Sequence, residues 1–324
     1  MLRAGSLLVL VAFLAAGCEH KKPPHKAHSS AATSVGSVAA APGPAVPQLL
    51  YLPDGGDIAP PAAPGHEILP GPWGAAPSRC PPDMVDVHGR FCIDRYEDSL
   101  VDTDSGRTLS PYYHPTPAQV RASYERWQRK RLSDGPPSAR QMPVPAPPEW
   151  ELHGHFMPKA VSRRNVLPNG YLDQKLAREA CEAAGKRLCT PDEWVTACRG
   201  EQDRPFPYGD TYQQGACNVF RASHPAFILH GNASIGHLDP RLNEVKFHGE
   251  PLLRKTGQTP ACRSQWGDDA VYDMVGNLDE WVDDPDGAFL GGFYSRGTRA
   301  GCESRISTHP PQYFDYSLGV RCCK

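Results

Sequence analysis

Ten of the chain's eleven cysteines fall between Cys80 and Cys323, and they constrain the fold more than any hydrophobic pattern does. An even set spread across a domain builds disulfides in an exported chain, whereas a reducing compartment keeps such residues as thiols. Export therefore comes first. Arg3, the apolar run Leu7 to Ala16 and the small residues before Cys18 form the three parts of a signal peptide over residues 1–18. The run is too short to span a bilayer, which takes about 20 apolar residues. Cys18, directly after Ala15, Ala16 and Gly17, reads as a lipobox cysteine that becomes the acylated N-terminus. Ala15 departs from the usual branched aliphatic, with Leu14 one place too early. Plain secretion with an incidental cysteine is the alternative. In a Gram-negative host, Glu19 in place of Asp favours the outer membrane.

Residues 19–79 are dense in Pro, Ala, Gly and Ser and lack a sustained apolar period. Such a segment cannot bury enough surface to offset its ordering entropy, so it is expected to be a disordered tether. At about 3.1 Å per residue in a polyproline-like state it would reach on the order of 100 Å from the membrane. From Cys80 to Lys324 the composition is globular, long enough for one large domain with an insertion. A formal net charge of -2 gives no reason to expect a nucleic-acid partner. No Ser-His-Asp order, phosphate-binding glycine loop or paired-carboxylate signature stands out.

Three helices are legible. Leu176, Ala177, Ala180, Cys181 and Ala184 share one helical face, and Gly185 stands where a helix C-cap favours positive φ. Thr190, Pro191 and Glu193 form a capping box with proline at the first helical position; this helix runs to Arg199, stops at Gly200, and buries Trp194, Ala197 and Cys198. Thr116 and Pro117 open the third, with Val120, Tyr124 and Trp127 as its apolar stripe. Arg121, Arg126, Arg129, Lys130 and Arg131 crowd its remaining surface, and Glu125 is spaced to pair with Arg121 or Arg129. A solvated face on a docked insert is the expected reading of this basic helix, and contact with anionic lipid or lipopolysaccharide the alternative. Beyond residue 200 the chain is short segments punctuated by Gly, Pro and Asn, a pattern of irregular structure and short strands.

The segments "GKRLCTPDEW", "FPYGD", "CN" at 217–218, "YDMVGNLDEW" and "LGVRC" together resemble the formylglycine-generating, sulfatase-modifying-factor domain family. The resemblance covers roughly Met84 to Cys323 and is weakest over residues 99–160. It implies a C-type-lectin-like α+β fold, disulfide-rich and irregular, with two helices and short antiparallel strands in a domain spanning 80–324. It also implies two disulfides, Cys181 with Cys322 and Cys198 with Cys302. Of the other cysteines, Cys80 and Cys92 are plausible as a local pair, Cys217 and Cys262 as a brace for the long loop, and Cys189 with Cys323 is the remaining combination. A vicinal redox or metal pair at Cys322 and Cys323 is the rival reading.

By the same resemblance, Asp273, Gly276, Leu278 and Glu280 would wrap a structural calcium, an oxygen-rich set suited to a hard cation. Asn218 and Val219 would open a second site. The family's oxidases bind copper(I) through two thiolates after a "GGS" motif. Here that stretch is "GGFYSRGTRAGC": the first thiol position falls on Arg296, and Cys302 is claimed by Cys198. No copper and no formylglycine-generating activity of that kind are expected, and no catalytic residue is assigned. Asp279 further departs from the aromatic usual in its motif. Two readings follow. The favoured one is a lipid-anchored, non-catalytic module binding an envelope protein or glycan through loops around 203–260 and 283–300. The other is an exported oxidative enzyme acting on a protein or metabolite, as in pyoverdine maturation, with a site of another kind, for which His153, His155 and His309 are the candidate imidazoles.

Overall fold

The computed structural model describes residues 79–219, 223–296 and 298–324. The signal peptide, Cys18 and the tether, up to residue 78, lie outside the described residues. The described chain opens on an antiparallel hairpin of β1 (Met84–Val87) and β2 (Phe91–Asp94). A second hairpin pairs β3 (Asp98–Asp102) with β4 (Pro158–Ser162), Asp98 opposite Ser162 and Asp102 opposite Pro158. Three helices occupy the excursion between these strands: α1 (Pro117–Lys130), α2 (Pro137–Gln141) and α3 (Glu149–His153). The divergent stretch 99–160 is thus one hairpin whose loop has grown into a helical insert.

The insert is docked. Val120 and Trp127 of α1 are buried against Leu100, Ala160, Leu176 and Ala180, so it shares a core with α4 (Gln174–Ala183). Tyr124 is only half-buried, and Glu125 forms no ion pair with Arg121 or Arg129 among the described residues; all three side chains face solvent. Asp173 caps α4 by accepting from the Leu176 N–H at 2.7 Å, and Gly185 beyond its end has φ +68°. After β5 (Arg187–Leu188), the capping box forms on α5 (Pro191–Arg199): Thr190 Oγ accepts from Glu193 N–H, and the Glu193 carboxylate from Thr190 N–H. Trp194, Ala197 and Cys198 are fully buried in the other main core with Val85, Ile93, Trp266 and Val271.

The remainder comprises α6 (Pro225–His230), β6 (Lys246–Phe247), β7 (Glu250–Pro251), β8 (Arg263–Trp266), β9 (Asp269–Tyr272), β10 (Asp279–Trp281), β11 (Phe289–Leu290), β12 (Arg305–Ile306), β13 (Leu318–Val320) and β14 (Cys322–Cys323). Two four-stranded sheets result, ordered β1-β2-β14-β5 and β12-β11-β10-β13. The architecture is α+β with short strands, as expected. It differs from the expectation in two details. Six α-helices occur among the described residues, because the insert and the 203–260 loop contribute their own. One pairing, β10 with β13, is parallel, since β13 arrives from a long crossover instead of a hairpin.

The last segment joins the two sheets: β13 lies in one, β14 in the other, and only Arg321 separates them. Five disulfides join Cys80 to Cys92, Cys181 to Cys322, Cys189 to Cys323, Cys198 to Cys302, and Cys217 to Cys262. The two pairs implied by the resemblance are among them, and the vicinal Cys322 and Cys323 bond outward to different partners. The three that hold the C-terminal region span sequence separations of 141, 134 and 104 residues. In the chain-entropy model each such closure contributes about 4–5 kcal/mol.

One buried acid in the insert makes stability depend on pH. Glu151 of α3 is 1% exposed and accepts from the Ser110 N–H at 2.9 Å. Burial pushes its carboxyl up to about 7, against the pull of that hydrogen bond. Between about pH 4.5 and 7 the folded state therefore holds a proton that the unfolded chain releases, so this contribution to stability falls as pH rises through the window. Glu151→Gln keeps the acceptor and removes the charge. Its melting temperature should exceed that of the parent at pH 8, with the gap closing below pH 4.5; a gap independent of pH would refute the assignment.

Candidate functional site

Two neighbouring constellations flank β10. The first is a carboxylate cluster. Glu280 accepts from the Arg321 guanidinium, Nη2 to Oε1 at 2.8 Å and Nε to both oxygens, and from Trp194 Nε1 at 2.6 Å. Arg321 is 0% exposed. Its other donors reach the carbonyls of Asp94 and Tyr272, both at 2.8 Å. Glu97 accepts from Asn277 Nδ2 and from the Leu278 N–H. Asp273 Oδ2 accepts from the Gly257 N–H at 2.6 Å. Burial, then repulsion from Asp273 and Glu280, holds Glu97 well above the carboxylate range. Burial likewise raises Asp273, to about 6.

The turn between Asp273 and Leu278 has positive φ at Asp273, Gly276 and Asn277. Gly276 has no alternative there, because a Cβ would lie 2.4 Å from the Asn218 carbonyl oxygen. That approach is part of a bridge between Asn218 and Gly276, and the Asn277 N–H donates to the same carbonyl at 3.0 Å. Asn218 Nδ2 donates to Leu252 O and Asn277 Oδ1, while its Oδ1 is buried with no hydrogen-bond partner among the described residues. The donor set is therefore oxygen-rich: three buried carboxylates face one guanidinium, with an orphaned amide oxygen alongside. In donor type it suits a hard cation. Glu280 is the exception, since Arg321 and Trp194 already engage both its oxygens. The three carboxylates do not lie close enough together to share one ion, so main-chain carbonyls would have to complete any ligand set around Asp273.

The second constellation is an open cavity of about 400 Å³. Arg296 forms one wall, and its guanidinium is ion-paired with Asp279. The other Asp279 oxygen accepts from the Gly292 N–H at 2.9 Å. The two departures from the family pattern thus touch: the arginine at the thiol position neutralises the acid at the aromatic position. Rings line most of the rest, with Ile306, Thr308, Asp315 and Ser317 as the other lining residues. His309 stacks on Tyr313 at 4.0 Å and on Phe289 at 5.9 Å. His224 Nδ1 accepts from the Ala226 N–H, so its Nε2 bears the hydrogen and donates to Tyr316 Oη at 3.0 Å. Burial lowers the His224 pKa, and burial raises the Tyr316 phenol well above its ordinary range. Tyr313 Oη donates to Asp315 Oδ2 at 2.6 Å.

The candidate imidazoles do not assemble. His153 is exposed on α3, 3.3 Å from Glu149, His155 is exposed, and His309 belongs to the aromatic wall. Among the described residues the one group of His, Cys or acidic atoms close enough to share an ion is Asp98, Cys181 and Cys322. Its sulfurs are spent in a disulfide. Sequence reasoning missed Glu97 and Arg321 in the cluster and His224, Tyr313 and Tyr316 in the cavity. Arg321 stood in the "LGVRC" segment, a usable signal; the others carried none.

Arg296→Met would leave Asp279 buried and unpaired, with an expected loss of up to about 3–5 kcal/mol. Adding Asp279→Leu should recover most of it. Urea unfolding of both variants checks this, and an equal loss in the double variant would show that the pair is not coupled.

A model of the sulfatase-modifying factor enzyme 1-like domain matches residues 149–323. A Bos taurus protein described as inactive C-alpha-formylglycine-generating enzyme 2 is 27% identical over 152 residues, 45% of this chain and 46% of that protein. The chain thus spans about half the length of this curated relative. Among solved structures, CarF aligns with 14% identity over 72% of this chain and 86% of its own, at a TM-score of 0.33. PvdO from Pseudomonas aeruginosa aligns with 14% identity over 72% and 93%, at 0.30. The Major Tropism Determinant P3c variant aligns with 16% identity over 76% and 53%, at 0.38. With its family model matched across more than half of its length, the chain belongs to the sulfatase-modifying factor enzyme 1-like domain family.

Proposed function

We propose that this protein is an exported lipoprotein, held to a bacterial membrane through Cys18 with the outer membrane favoured, whose domain acts as a non-catalytic binding or scaffold module for an envelope protein or glycan. The observation that carries the non-catalytic reading is the Arg296–Asp279 ion pair in the place of the thiols. A guanidinium cannot serve as a soft ligand for copper(I). All ten cysteines from Cys80 onward are joined in disulfides, which leaves no thiolate pair to replace it. The bovine relative is itself described as inactive, which accords with this reading. The cavity beside Arg296 is the candidate ligand site, where aromatic faces and the Tyr316 hydroxyl are chemically suited to binding.

Thiol titration of the native exported protein, with Cys18 acylated or replaced, should find no reactive thiol and no stoichiometric copper(I) uptake. Two titratable thiols would reinstate the oxidase reading.

Calcium belongs to the same proposal as a structural ion. Asp273 and the main-chain carbonyls of Gly276 and Leu278 would hold it, with Asn218 Oδ1 and Val219 offering a second position, and Glu280 shared with Arg321. The ion would favour the ionised forms of Glu97 and Asp273, which burial otherwise disfavours. Adding a chelator should lower the melting temperature, and calcium but not magnesium should restore it. Asp273→Asn should abolish the difference. A chelator-insensitive transition in the parent protein would sink the calcium assignment and leave the binding-module reading standing.

A further inference from the structure

We infer that the helical insert and α6 together form a second, independent surface that docks on an anionic phospholipid bilayer. Residues 117–141 hold six basic side chains and two acids, in a chain whose formal net charge is -2. Arg121, Arg126 and Arg129 project from the exposed face of α1, and none of them has a carboxylate partner among the described residues. One of the two acids, Asp134, is already engaged by Lys130 at 3.5 Å and lies 3.4 Å from His230. The formal charge of residues 117–141 is therefore positive.

The second observation is apolar. Five large hydrophobic side chains are markedly exposed in the described structure, and four of them belong to this region: Leu132 at 62%, Phe227 at 59%, Ile235 at 46% and Leu238 at 38%. Contacts join the segments that bear them. A Cβ on Gly135 would overlap the Leu229 carbonyl, so the chain after α1 lies directly on α6. The His230 ring packs beneath Gly236 and 5.7 Å from the Trp127 ring. Leu238 lines one small cavity with Arg126 and Trp127. Apolar tips set among guanidinium groups match the two layers of a membrane interface, where phosphates meet the arginines and the acyl boundary receives the side chains. An acidic protein would satisfy the charges and leave the apolar tips without a counterpart.

This inference rests on the membrane-anchored reading for its setting, and the test separates the two. The full exported chain carrying Cys18→Ser has no acyl group. It should float with phosphatidylcholine vesicles containing phosphatidylglycerol and remain behind with phosphatidylcholine alone. Binding should weaken as salt rises, because exposed charges are screened beyond a Debye length. Arg121→Glu/Arg126→Glu/Arg129→Glu, all at exposed positions, should reduce it on the order of tenfold or more with the melting temperature unchanged. Phe227→Ser/Ile235→Ser should weaken binding at every salt concentration. Equal partition onto neutral and anionic vesicles, or full binding by the charge-reversed chain, would overturn the inference. So would a dimer in solution that these substitutions dissociate, since the surface would then be a contact between copies. Mass measurement of the membrane-extracted parent tests acylation at Cys18 separately, and a missing acyl group would withdraw the anchor without touching the flotation result.

Discussion

The buried ion pair between Arg321 and Glu280 is the interaction on which the arrangement depends. Arg321 sits at the single position between β13 and β14, where the chain leaves one sheet for the other. Its guanidinium binds Glu280 of β10, the Tyr272 carbonyl at the end of β9 and the Asp94 carbonyl at the end of β2. Trp194 of α5 donates to the same Glu280. One charge pair thus fixes four elements relative to the crossover strand. Its net energy against an apolar replacement would be small, because desolvation of both ions opposes their attraction. What it supplies is registration: β13 cannot slide along β10 without leaving an unpaired charge in the core.

Strand geometry explains how β10 serves two sites at once. Successive side chains of a strand point to opposite faces, so Glu280 turns toward Arg321 while Asp279 turns toward the cavity and Arg296. Two adjacent carboxylates are each neutralised by an arginine, one on either face. Trp281, on the face of Asp279, stacks edge-on against Phe289 and donates its Nε1–H to the Leu172 carbonyl at 2.7 Å. Arg296 therefore stands in a wall built largely of rings. Asp279 supplies the ion-pair partner of the half-buried Arg296 guanidinium in that wall.

What the sequence made legible follows the range of the interactions involved. The capping box on α5, the positive φ at Gly185 and the buried face of α4 depend on residues within one or two turns of each other. Local pattern suffices for them. Two of the five disulfide pairings, Cys181 with Cys322 and Cys198 with Cys302, came from resemblance, which carries long-range information that spacing does not. The carboxylate cluster was half seen: Asp273 and Glu280 belong to one segment, whereas Glu97 reaches Leu278 across 181 residues of sequence. Arg296 and Asp279 were each marked as departures, yet their contact was not, because nothing in a list of residues says which two share a wall. The parallel pairing of β10 with β13 escaped for the same reason. The insert's helices were partly legible through Val120 and Trp127, and the apolar tips on α6 became visible only once burial was known.

Cross-linking separates what holds this domain together from what its cavity can bind. The segment from Phe289 to Ser317 supplies much of the cavity wall, and Cys302 ties its middle to α5. Cys322 and Cys323, just beyond, tie the following strand to α4 and to Cys189 between β5 and α5. Three covalent bonds thus hold the segment whatever side chains it presents inward. Without such ties, burying an arginine beside an aspartate would put the surrounding fold at risk. Here the unfolded chain has already lost much of its entropy through long closed loops, and the wall can exchange thiol and aromatic for an ion pair while the backbone stays in place. The retained framework and the altered wall are therefore consequences of the same chemistry: cysteines spent on structure leave the cavity free to be rebuilt from other side chains.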